Sequence, residues 1–443
     1  GILSKNRVEH AMPEISAPSY FVLGLILVAA LASLSRGLLA HWKRIARGRP
    51  FFGPVIDRDS VLARTNWRTF IARGVFTSRL WQRRWSGIAH GMLFFGALVL
   101  IFGHAVFALS FVGVPVYAGW FGFLVMELGR EIAGIMVFLG VLFFLLRRFA
   151  PPERLVAGRT RPGFERMEAL ILLTVIAGFS SESFRLALAP GGGGEFLGTA
   201  IGAFLGQHLH PDATLLGFKV LWWLHGLLGA SFIALIAYTP MSHMLLGPTN
   251  SALASPRPGI NLAPVDFDAE QDAAGNPVVF GAARLADLTQ KNLLDVSACL
   301  WCGRCHEVCP AAQTGKDLSP KKVMATCAEY LAEGRFDDTS LIEVLGREAI
   351  FNCTTCAACV EVCPVSNNPA EVILEFRRHH VMELSDMPDT MAAANRNLES
   401  RGHPFVGTAA NPDDWRSGLD VPIFAPGTTE YLLWIGCSVR YEP

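Results

Sequence analysis

Five long apolar segments, separated by polar stretches, lie in the first 250 residues of the chain. They are residues 20–39, 88–112, 127–146, 169–188 and 214–246. A helix of about 20 mostly apolar residues crosses the hydrocarbon core of a bilayer. The pattern therefore predicts five transmembrane helices rather than buried helices of a soluble protein. No small-residue cleavage site follows the first segment, which indicates a retained helix rather than a signal peptide.

The charges between these segments predict their orientation. The connection from His41 to Trp85 contains eleven Lys and Arg residues, and that from Arg147 to Arg166 contains six, whereas residues 186–213 contain none. Because basic loops stay in the cytoplasm, we expect a multi-pass protein of the inner (plasma) membrane, with the N-terminus outside and everything after residue 247 inside. Lys+Arg and Asp+Glu balance at 38 each, which argues against nucleic-acid binding.

Four of the twelve histidines lie in two of the predicted spans, where an ionisable side chain is costly and indicates a function. His90 and His104 share the second span, and His225 and His243 share the fifth. At 100° per residue, each pair lies along one face of its helix. Because these two helices run in opposite directions, His90 is expected to face His243 near the cytoplasm, and His104 to face His225 near the outside.

Two facing imidazoles at one depth fill both axial positions of a haem iron and leave it for electron transfer. The pattern therefore predicts two haem b groups, one held by His90 and His243 and the other by His104 and His225. The alternative for His90 or His243 alone is that the side chain caps a helix or meets lipid headgroups.

Nine of the ten cysteines fall between Cys299 and Cys363, and eight of them form two C-x2-C-x2-C-x3-C-P motifs. This run binds two [4Fe-4S] clusters in bacterial ferredoxins, where the fourth cysteine of each motif ligates the other cluster. Structural zinc favours separated C-x2-C pairs, and disulfides are disfavoured in the cytoplasm. Cluster one is expected on Cys299, Cys302, Cys305 and Cys363, and cluster two on Cys353, Cys356, Cys359 and Cys309.

The segment between the two motifs predicts a helix. Ser319 can cap it, Pro320 suits its first position, and apolar residues recur at helical spacing as far as Ala349. The ninth cysteine, Cys327, lies on the apolar face of this helix and is interpreted as part of the core.

The arrangement resembles membrane-bound iron-sulfur oxidoreductases that fuse a cytochrome b like the nitrate reductase gamma subunit to a protein like the catalytic subunit of membrane-bound heterodisulfide reductase. The resemblance covers nearly the whole chain. It is carried by RWSGIAHGMLFFGALVLIFGH, WWLHGLLGASFIALIAYTPMSH, DVSACLWCGRCHEVCPAAQTGKDLSP and CTTCAACVEVCP. In function the chain is most similar to the bacterial electron-transfer-flavoprotein:menaquinone oxidoreductases.

This resemblance implies that electrons pass from reduced electron-transfer flavoprotein, or another cytoplasmic redox protein, through the clusters and haems to menaquinone. Two alternatives stay open. One is a quinol-oxidising enzyme that reduces a disulfide, as heterodisulfide reductases do, and the other is an electron-conducting subunit whose catalytic partner is another chain.

The resemblance also implies a cysteine-rich domain with CCG motifs and non-cubane clusters after the ferredoxin module. The strand-like segment YLLWIGCSVRYEP resembles the start of that domain, and Cys437 matches its first cluster ligand. No CCG occurs in this sequence. The expectation is therefore that the sequence stops before the domain ends or that the protein lacks it.

The predicted protein is mainly α-helical and has five parts. These are an outside segment (1–18), a five-helix transmembrane di-haem cytochrome b domain (19–247), an extended linker (248–287), a helical ferredoxin domain with two [4Fe-4S] clusters (288–398), and a loop-like linker that leads into the start of the cysteine-rich domain (399–443).

A quinone needs hydrogen-bond donors for its carbonyl oxygens and a route for protons. Five charged residues fall near the predicted outer haem: Lys219, Arg130, Glu131, Glu182 and Arg185. The sequence therefore predicts an outer quinone pocket. The alternatives are that these side chains snorkel to headgroups or pair with haem propionates, or that the quinone binds on the cytoplasmic side near His90 and His243.

Overall fold

The computed structural model describes residues 15–51, 62–157, 160–189, 191, 193–255, 267–268, 278–337, 340–406 and 414–441. Within these ranges the chain forms helices and loops, with one isolated bridge between Arg49 and Thr289 and no β-strand. The predicted mainly helical class is confirmed.

Five helices in the described ranges are long and apolar enough to cross a membrane, which confirms the predicted number. The first four are α1 (Ala17–Ile45), α2 (Arg84–Leu109), α3 (Gly119–Arg147) and α4 (Phe164–Leu188). A shorter helix that the sequence did not predict, α5 (Phe196–His208), precedes the fifth candidate span, whose regular part is α6 (Pro211–Leu235).

The candidate spans form a bundle in which α2 packs against α3, α3 against α4, and α6 against both α4 and α1. Glycines at the contacts let the helix backbones approach closely. A Cβ added to Gly140 of α3 would lie 2.7 Å from the carbonyl oxygen of Ala89 in α2, and one added to Gly96 would lie 2.8 Å from that of Ala133. Larger residues at these positions would push α2 and α3 apart.

The prediction of one continuous fifth helix from 214 to 246 is wrong. After Leu235 the chain makes two short 3-10 turns and then starts α7 (His243–Ala252). Proline lacks the N–H that a helix interior needs, and Thr239 before Pro240 is extended at φ −127°, ψ 173°, with its Oγ1 accepting from Met241 N at 3.3 Å. His243 therefore begins a new helix instead of continuing the one that carries His225.

The ferredoxin module is built on α8 (Gln290–Ala298), α9 (Pro320–Glu333) and α10 (Pro369–Met382), with α11 (Asp389–Arg401) following. Side chains cap the first three helices: Thr289 accepts from Asn292 N, Ser319 from Lys322 N, and Asn368 from Glu371 N. Each cap satisfies a backbone donor that has no partner within its helix. The shared core includes Leu293, Val296, Cys327, Val372 and Phe376, all 0% exposed.

Two other secondary-structure predictions differ from the structure. The helix from Ser319 does not reach Ala349, because Gly334 at φ +76° ends it in the left-handed region that glycine tolerates. The segment predicted as a strand instead forms a short helix, Cys437–Tyr441, and in the described ranges no strand is available to pair with it.

The predicted linkers also contain helical structure. Residues 248–252 complete α7 and Leu285–Asp287 form a 3-10 turn. The helix α11 crosses the predicted boundary at 398. Residues 256–266 and 269–277 of the first linker, 407–413 of the second, and 1–14 of the predicted outside segment lie outside the described residues.

A buried polar junction joins the membrane bundle to the ferredoxin module. The amide nitrogen of Asn250, near the end of α7, lies 2.7 Å from Asp295 Oδ1, 2.9 Å from Val365 O and 2.9 Å from Asn367 Oδ1. Asp295 also accepts from Lys291 Nζ at 2.7 Å. Because Asn250 and Asp295 are fully buried, these hydrogen bonds fix how α7 sits on the module.

Candidate cofactor sites

The inner histidine pair joins α2 to α7. The ring centroids of His90 and His243 lie 6.5 Å apart, with their planes inclined at 52°. The Nδ1–H of His243 donates to Pro240 O at 2.7 Å. The 3-10 turns after α6 thus place His243 opposite His90, as the sequence predicted, although His225 and His243 do not share a helix.

The outer pair joins α2 to α6. The ring centroids of His104 and His225 lie 5.8 Å apart at 27°. His104 Nδ1–H donates to Leu100 O at 2.7 Å, and His225 Nδ1–H donates to Thr174 O at 2.9 Å. Gly178 of α4 leaves room for the His225 ring, because a Cβ there would lie 3.0 Å from it.

Each of these histidine pairs would be able to hold a haem iron between its rings. Two imidazoles on opposite sides of one metal ion, with metal–nitrogen bonds of ~2.0 Å, have ring centroids about 6 Å apart. In His104, His225 and His243 a carbonyl oxygen holds Nδ1–H and so leaves the Nε2 lone pair free for a metal. These pairs could therefore hold two b haems in line along the bundle.

The eight motif cysteines line two separate cavities. One is lined by Cys299, Cys302, Cys305 and Cys363, and the other by Cys309, Cys353, Cys356 and Cys359. These are the two ligand sets that the crossed ferredoxin pattern predicts. No three His, Cys, Asp or Glu side chains in the described residues converge on a single-ion site. The thiolates of a cubane cluster bind different irons and therefore do not need to converge on one point.

The loops that carry these cysteines are strained and aim backbone donors at sulfur. Four residues that are not glycine have positive φ between 55° and 58° there: Trp301, Thr355, Ala357 and Ser366. Such conformations cost energy and concentrate at functional sites. Asn367 N donates to Cys363 Sγ at 3.2 Å and Thr355 N to Cys353 Sγ at 3.4 Å. The loops are therefore shaped around the sulfur atoms.

Burial raises the pKa of Cys299 to about 11 and that of Cys359 to about 12. Desolvation disfavours the thiolate in both cases. A cluster holds its cysteines as thiolates, so the iron must supply the positive charge that stabilises them. Cys327 is also fully buried, but it lines neither cavity, which agrees with its interpretation as core.

Two arginines are each within electrostatic range of the inner histidine pair and of a cluster-one cysteine. Arg304 is within electrostatic range of both His90 and Cys302, and Arg161 is within range of both His243 and Cys299. Arg161 also donates to Cys299 O. The two proposed cofactor positions are therefore neighbours across the junction. Neither arginine stands out in the sequence, because the role of each depends on the contact between two distant parts of the chain.

The structure brings together four of the five charged residues predicted near the outer pair. Glu131 Oε1 accepts from Leu197 N at 2.6 Å and Gly198 N at 3.1 Å at the start of α5, and Arg185 pairs with Glu195 at 2.6 Å. Arg130 Nη1 lies 3.3 Å from Tyr117 Oη. Glu182 lies within electrostatic range of Glu131, Glu195, Arg130 and Arg185.

The structure does not bring Lys219 to this group. Gly217 of α6 contacts Phe184 of α4, and Lys219 lies two residues or 200° further around the helix, so it faces away from α4. It is exposed.

The group includes three residues that the sequence analysis missed. They are Glu127, whose Oε2 accepts from Gly194 N at 3.1 Å, together with Glu195 and Tyr117. The connection before the unpredicted helix α5 contains Glu195 and contacts Glu127, whereas Tyr117 joins the group through Arg130. Cys437, the predicted ligand of a further cluster, is exposed at the start of its short helix.

Comparisons with known proteins support the iron-sulfur module. Residues 295–367 match a family model described as a 4Fe-4S dicluster domain. An EtfAB:quinone oxidoreductase of Syntrophomonas wolfei is 28% identical over 94% of this chain and 64% of its own length. A probable iron-sulfur-binding oxidoreductase, FadF, of Bacillus subtilis is 26% identical over 82% of this chain and 58% of its own. The chain therefore spans less than two thirds of these relatives.

A probable membrane-anchored ferredoxin of Chromohalobacter salexigens is 30% identical over 36% of this chain and 28% of its own length. No solved structure matches. The predicted resemblance is confirmed: the chain is similar to an EtfAB:quinone oxidoreductase and to a probable iron-sulfur-binding oxidoreductase, contains a 4Fe-4S dicluster domain and has five candidate membrane spans.

Proposed function

We propose that this chain passes electrons from a cytoplasmic donor, reduced electron-transfer flavoprotein, to menaquinone in the plasma membrane. Two [4Fe-4S] clusters and two b haems supply the one-electron chemistry for this transfer. The observation that carries the proposal is the continuous order of four sites: the cavity of cluster two, the cavity of cluster one, the inner histidine pair and the outer histidine pair.

The short helix α7 supports this order. It begins at His243 and reaches Asn250 seven residues later, a rise of about 10 Å. Asn250 in turn is hydrogen-bonded to Val365 O and Asn367 Oδ1, just after the cluster-one ligand Cys363. One rigid element therefore sets the spacing between the inner histidine pair and cluster one, which electron transfer requires to be short.

Cluster two is the proposed entry point for electrons. Cys356 is exposed, whereas Cys309 and Cys359 are buried, so a redox partner can approach this cavity from one side. The name of the Syntrophomonas wolfei relative contains both EtfAB and quinone, which supports electron-transfer flavoprotein as the donor. The basic connections of the bundle support a cytoplasmic position for this face.

The outer polar group is the proposed quinone site. Arg130 lies within electrostatic range of His104 and His225 and packs its side chain against Gly103. Glu131 is buried, and its Oε2 has no hydrogen-bond partner in the described part of the chain. Arg130 and Tyr117 would donate to a quinone carbonyl, and Glu131 and Glu182 would carry protons. We therefore build this site on Arg130, Glu131, Glu182 and Arg185, with Tyr117 added.

Replacing Arg130 with glutamine is expected to slow menaquinone reduction. The loss of a charged hydrogen bond worth about 1.5–3 kcal/mol corresponds to about a 10- to 100-fold lower kcat/KM for quinone. Lys219→Leu is the matched control, since Lys219 faces away from the group, and its rate should stay at the wild-type value. Equal rates in Arg130→Gln and wild type, with haem content unchanged, would contradict an outer quinone site at these residues.

The proposed direction is tested with the complete chain in detergent. Reduced EtfAB and a menaquinone analogue are supplied without oxygen, and quinone reduction is followed. In a parallel reaction, quinol and a disulfide substrate are supplied. We expect quinone reduction in the first reaction. Activity in the second reaction alone would overturn the proposal in favour of a quinol-oxidising enzyme.

A further inference from the structure

The connections of the membrane bundle bring three arginines to cluster one. Arg154 donates to Cys302 O, and Arg161 donates to Cys299 O. Arg147, at the end of α3, donates to Ser86 Oγ at 3.0 Å and lies within electrostatic range of Cys302. Because all three come from the end of α3 and from the connection between α3 and α4, the bundle itself places positive charge beside this cavity.

The ferredoxin module adds two buried cations at the same place. Lys321, 1% exposed, donates from Nζ to the carbonyl oxygens of Arg154, Leu155 and Ala157 at 3.1, 2.9 and 2.7 Å. It lies within electrostatic range of Cys299, Cys302 and Cys305. Arg304, 6% exposed, donates to Arg79 O at 2.7 Å. We call Arg147, Arg154, Arg161, Arg304 and Lys321 the cationic collar.

At this junction, carboxylates pair with Arg79 and Arg83, which are outside the collar, and approach one collar residue, Arg154. Glu361 pairs with Arg79 at 2.8 Å, and Glu307 pairs with Arg83 and lies 3.8 Å from Arg154. Arg147, Arg161, Arg304 and Lys321 instead donate to hydroxyl or carbonyl oxygens. A net positive charge therefore faces cluster one in a buried interface, where charges are weakly screened.

Cluster two lies in different surroundings. Arg377 of the ferredoxin module donates to Ile350 O and Cys353 O at 2.9 and 2.7 Å, and Cys356 is exposed to solvent. Reduction adds one negative charge to a cluster, so nearby cations favour the reduced state. The bundle and the module together supply the cations around cluster one, whereas cluster two has Arg377 of its own module and faces solvent, which screens charge, at Cys356.

We propose that the cationic collar holds the reduction potential of cluster one above that of cluster two, so that electrons entering at cluster two move toward the inner histidine pair. This proposal takes the presence of the two [4Fe-4S] clusters from the proposed function. It assigns Arg147, Arg154, Arg161, Arg304 and Lys321 as residues that tune the direction of transfer without binding iron.

Arg147 gives the cleanest test, because its guanidinium bonds to Ser86 of the bundle and not to a cysteine loop. Arg147→Gln in the complete chain is expected to lower the midpoint potential of cluster one and leave that of cluster two in place. One unit charge in such an interface changes the electron distribution between the clusters by about tenfold, or about 59 mV for one electron. Redox titration followed by paramagnetic resonance measures both midpoints without donor or quinone.

Two control variants separate charge from structure. Arg147→Lys keeps the charge and should keep the wild-type midpoint, and Arg377→Gln should lower the midpoint of cluster two alone. A cluster-one midpoint that is unchanged in Arg147→Gln, or lies below cluster two in the wild type, would overturn the inference while leaving the two clusters established. A wild-type chain without two cluster signals would overturn the proposed function itself.

Discussion

Replacing His104 with alanine is expected to leave about one haem b per chain where the wild type has about two. The outer iron would lose one of its two axial imidazoles, whereas the inner pair, His90 and His243, keeps its 6.5 Å ring separation. The pyridine haemochrome assay on purified protein measures this directly. Reduction of quinone should fall with the outer haem, because that haem is the one beside the proposed quinone site.

His208 offers a matched control for the haem prediction. Like His104, it lies on a helix and its Nδ1–H donates to the carbonyl four residues earlier, Phe204 O. Its ring stacks on Phe204 and not on another histidine. His208→Ala should therefore keep both haems. An unchanged haem content and spectrum in His104→Ala would show that the outer histidine pair does not bind haem.

Replacing Cys309 with serine is expected to disrupt cluster two, although Cys309 belongs to the first motif in the sequence. Cys309 lines the cavity of Cys353, Cys356 and Cys359 and not that of the other first-motif cysteines. Paramagnetic resonance should show the signal of cluster two altered or lost and that of cluster one retained. Electron transfer from the donor should be abolished, because cluster two is the proposed entry point.

Cys327→Ala controls for a cysteine that is buried but not a ligand. Cys327 is packed in the core of the module, and its removal costs stability through a small cavity while leaving both cluster signals intact. Loss of only the cluster-one signal in Cys309→Ser would contradict the crossed ligand arrangement and favour clusters formed within each motif.

The main elements were predictable because their signals are local. Hydropathy alone located the five candidate spans, and the cysteine spacing located the dicluster module that residues 295–367 match. The sequence also predicted that His90 faces His243, but the prediction assumed a continuous fifth helix. Pro240 interrupts the helix on which the rotation argument depended, and the chain reaches the same place through two tight turns.

The missed residues depend on contacts between distant parts of the chain. In the sequence Lys321 belongs to the predicted helix between the two motifs. In the structure its amine donates to three carbonyl oxygens 164 to 167 residues away. Glu195 takes its role from an ion pair with Arg185 on the neighbouring helix, which is visible only in the folded chain. Lys219 satisfied the sequence criterion of depth, but its position around α6 turns it away from the polar group.

Haem reduction by the cytoplasmic donor shows whether electrons pass from the iron-sulfur module into the membrane bundle. Reduced EtfAB is mixed rapidly with the complete chain without oxygen, and the haem absorption is followed in wild type and in Cys356→Ser. We expect the donor to reduce both haems in the wild type but not in Cys356→Ser, while dithionite still reduces them in both. Haem reduction by the donor at the same rate in both proteins would contradict a relay that runs from the iron-sulfur module into the membrane bundle.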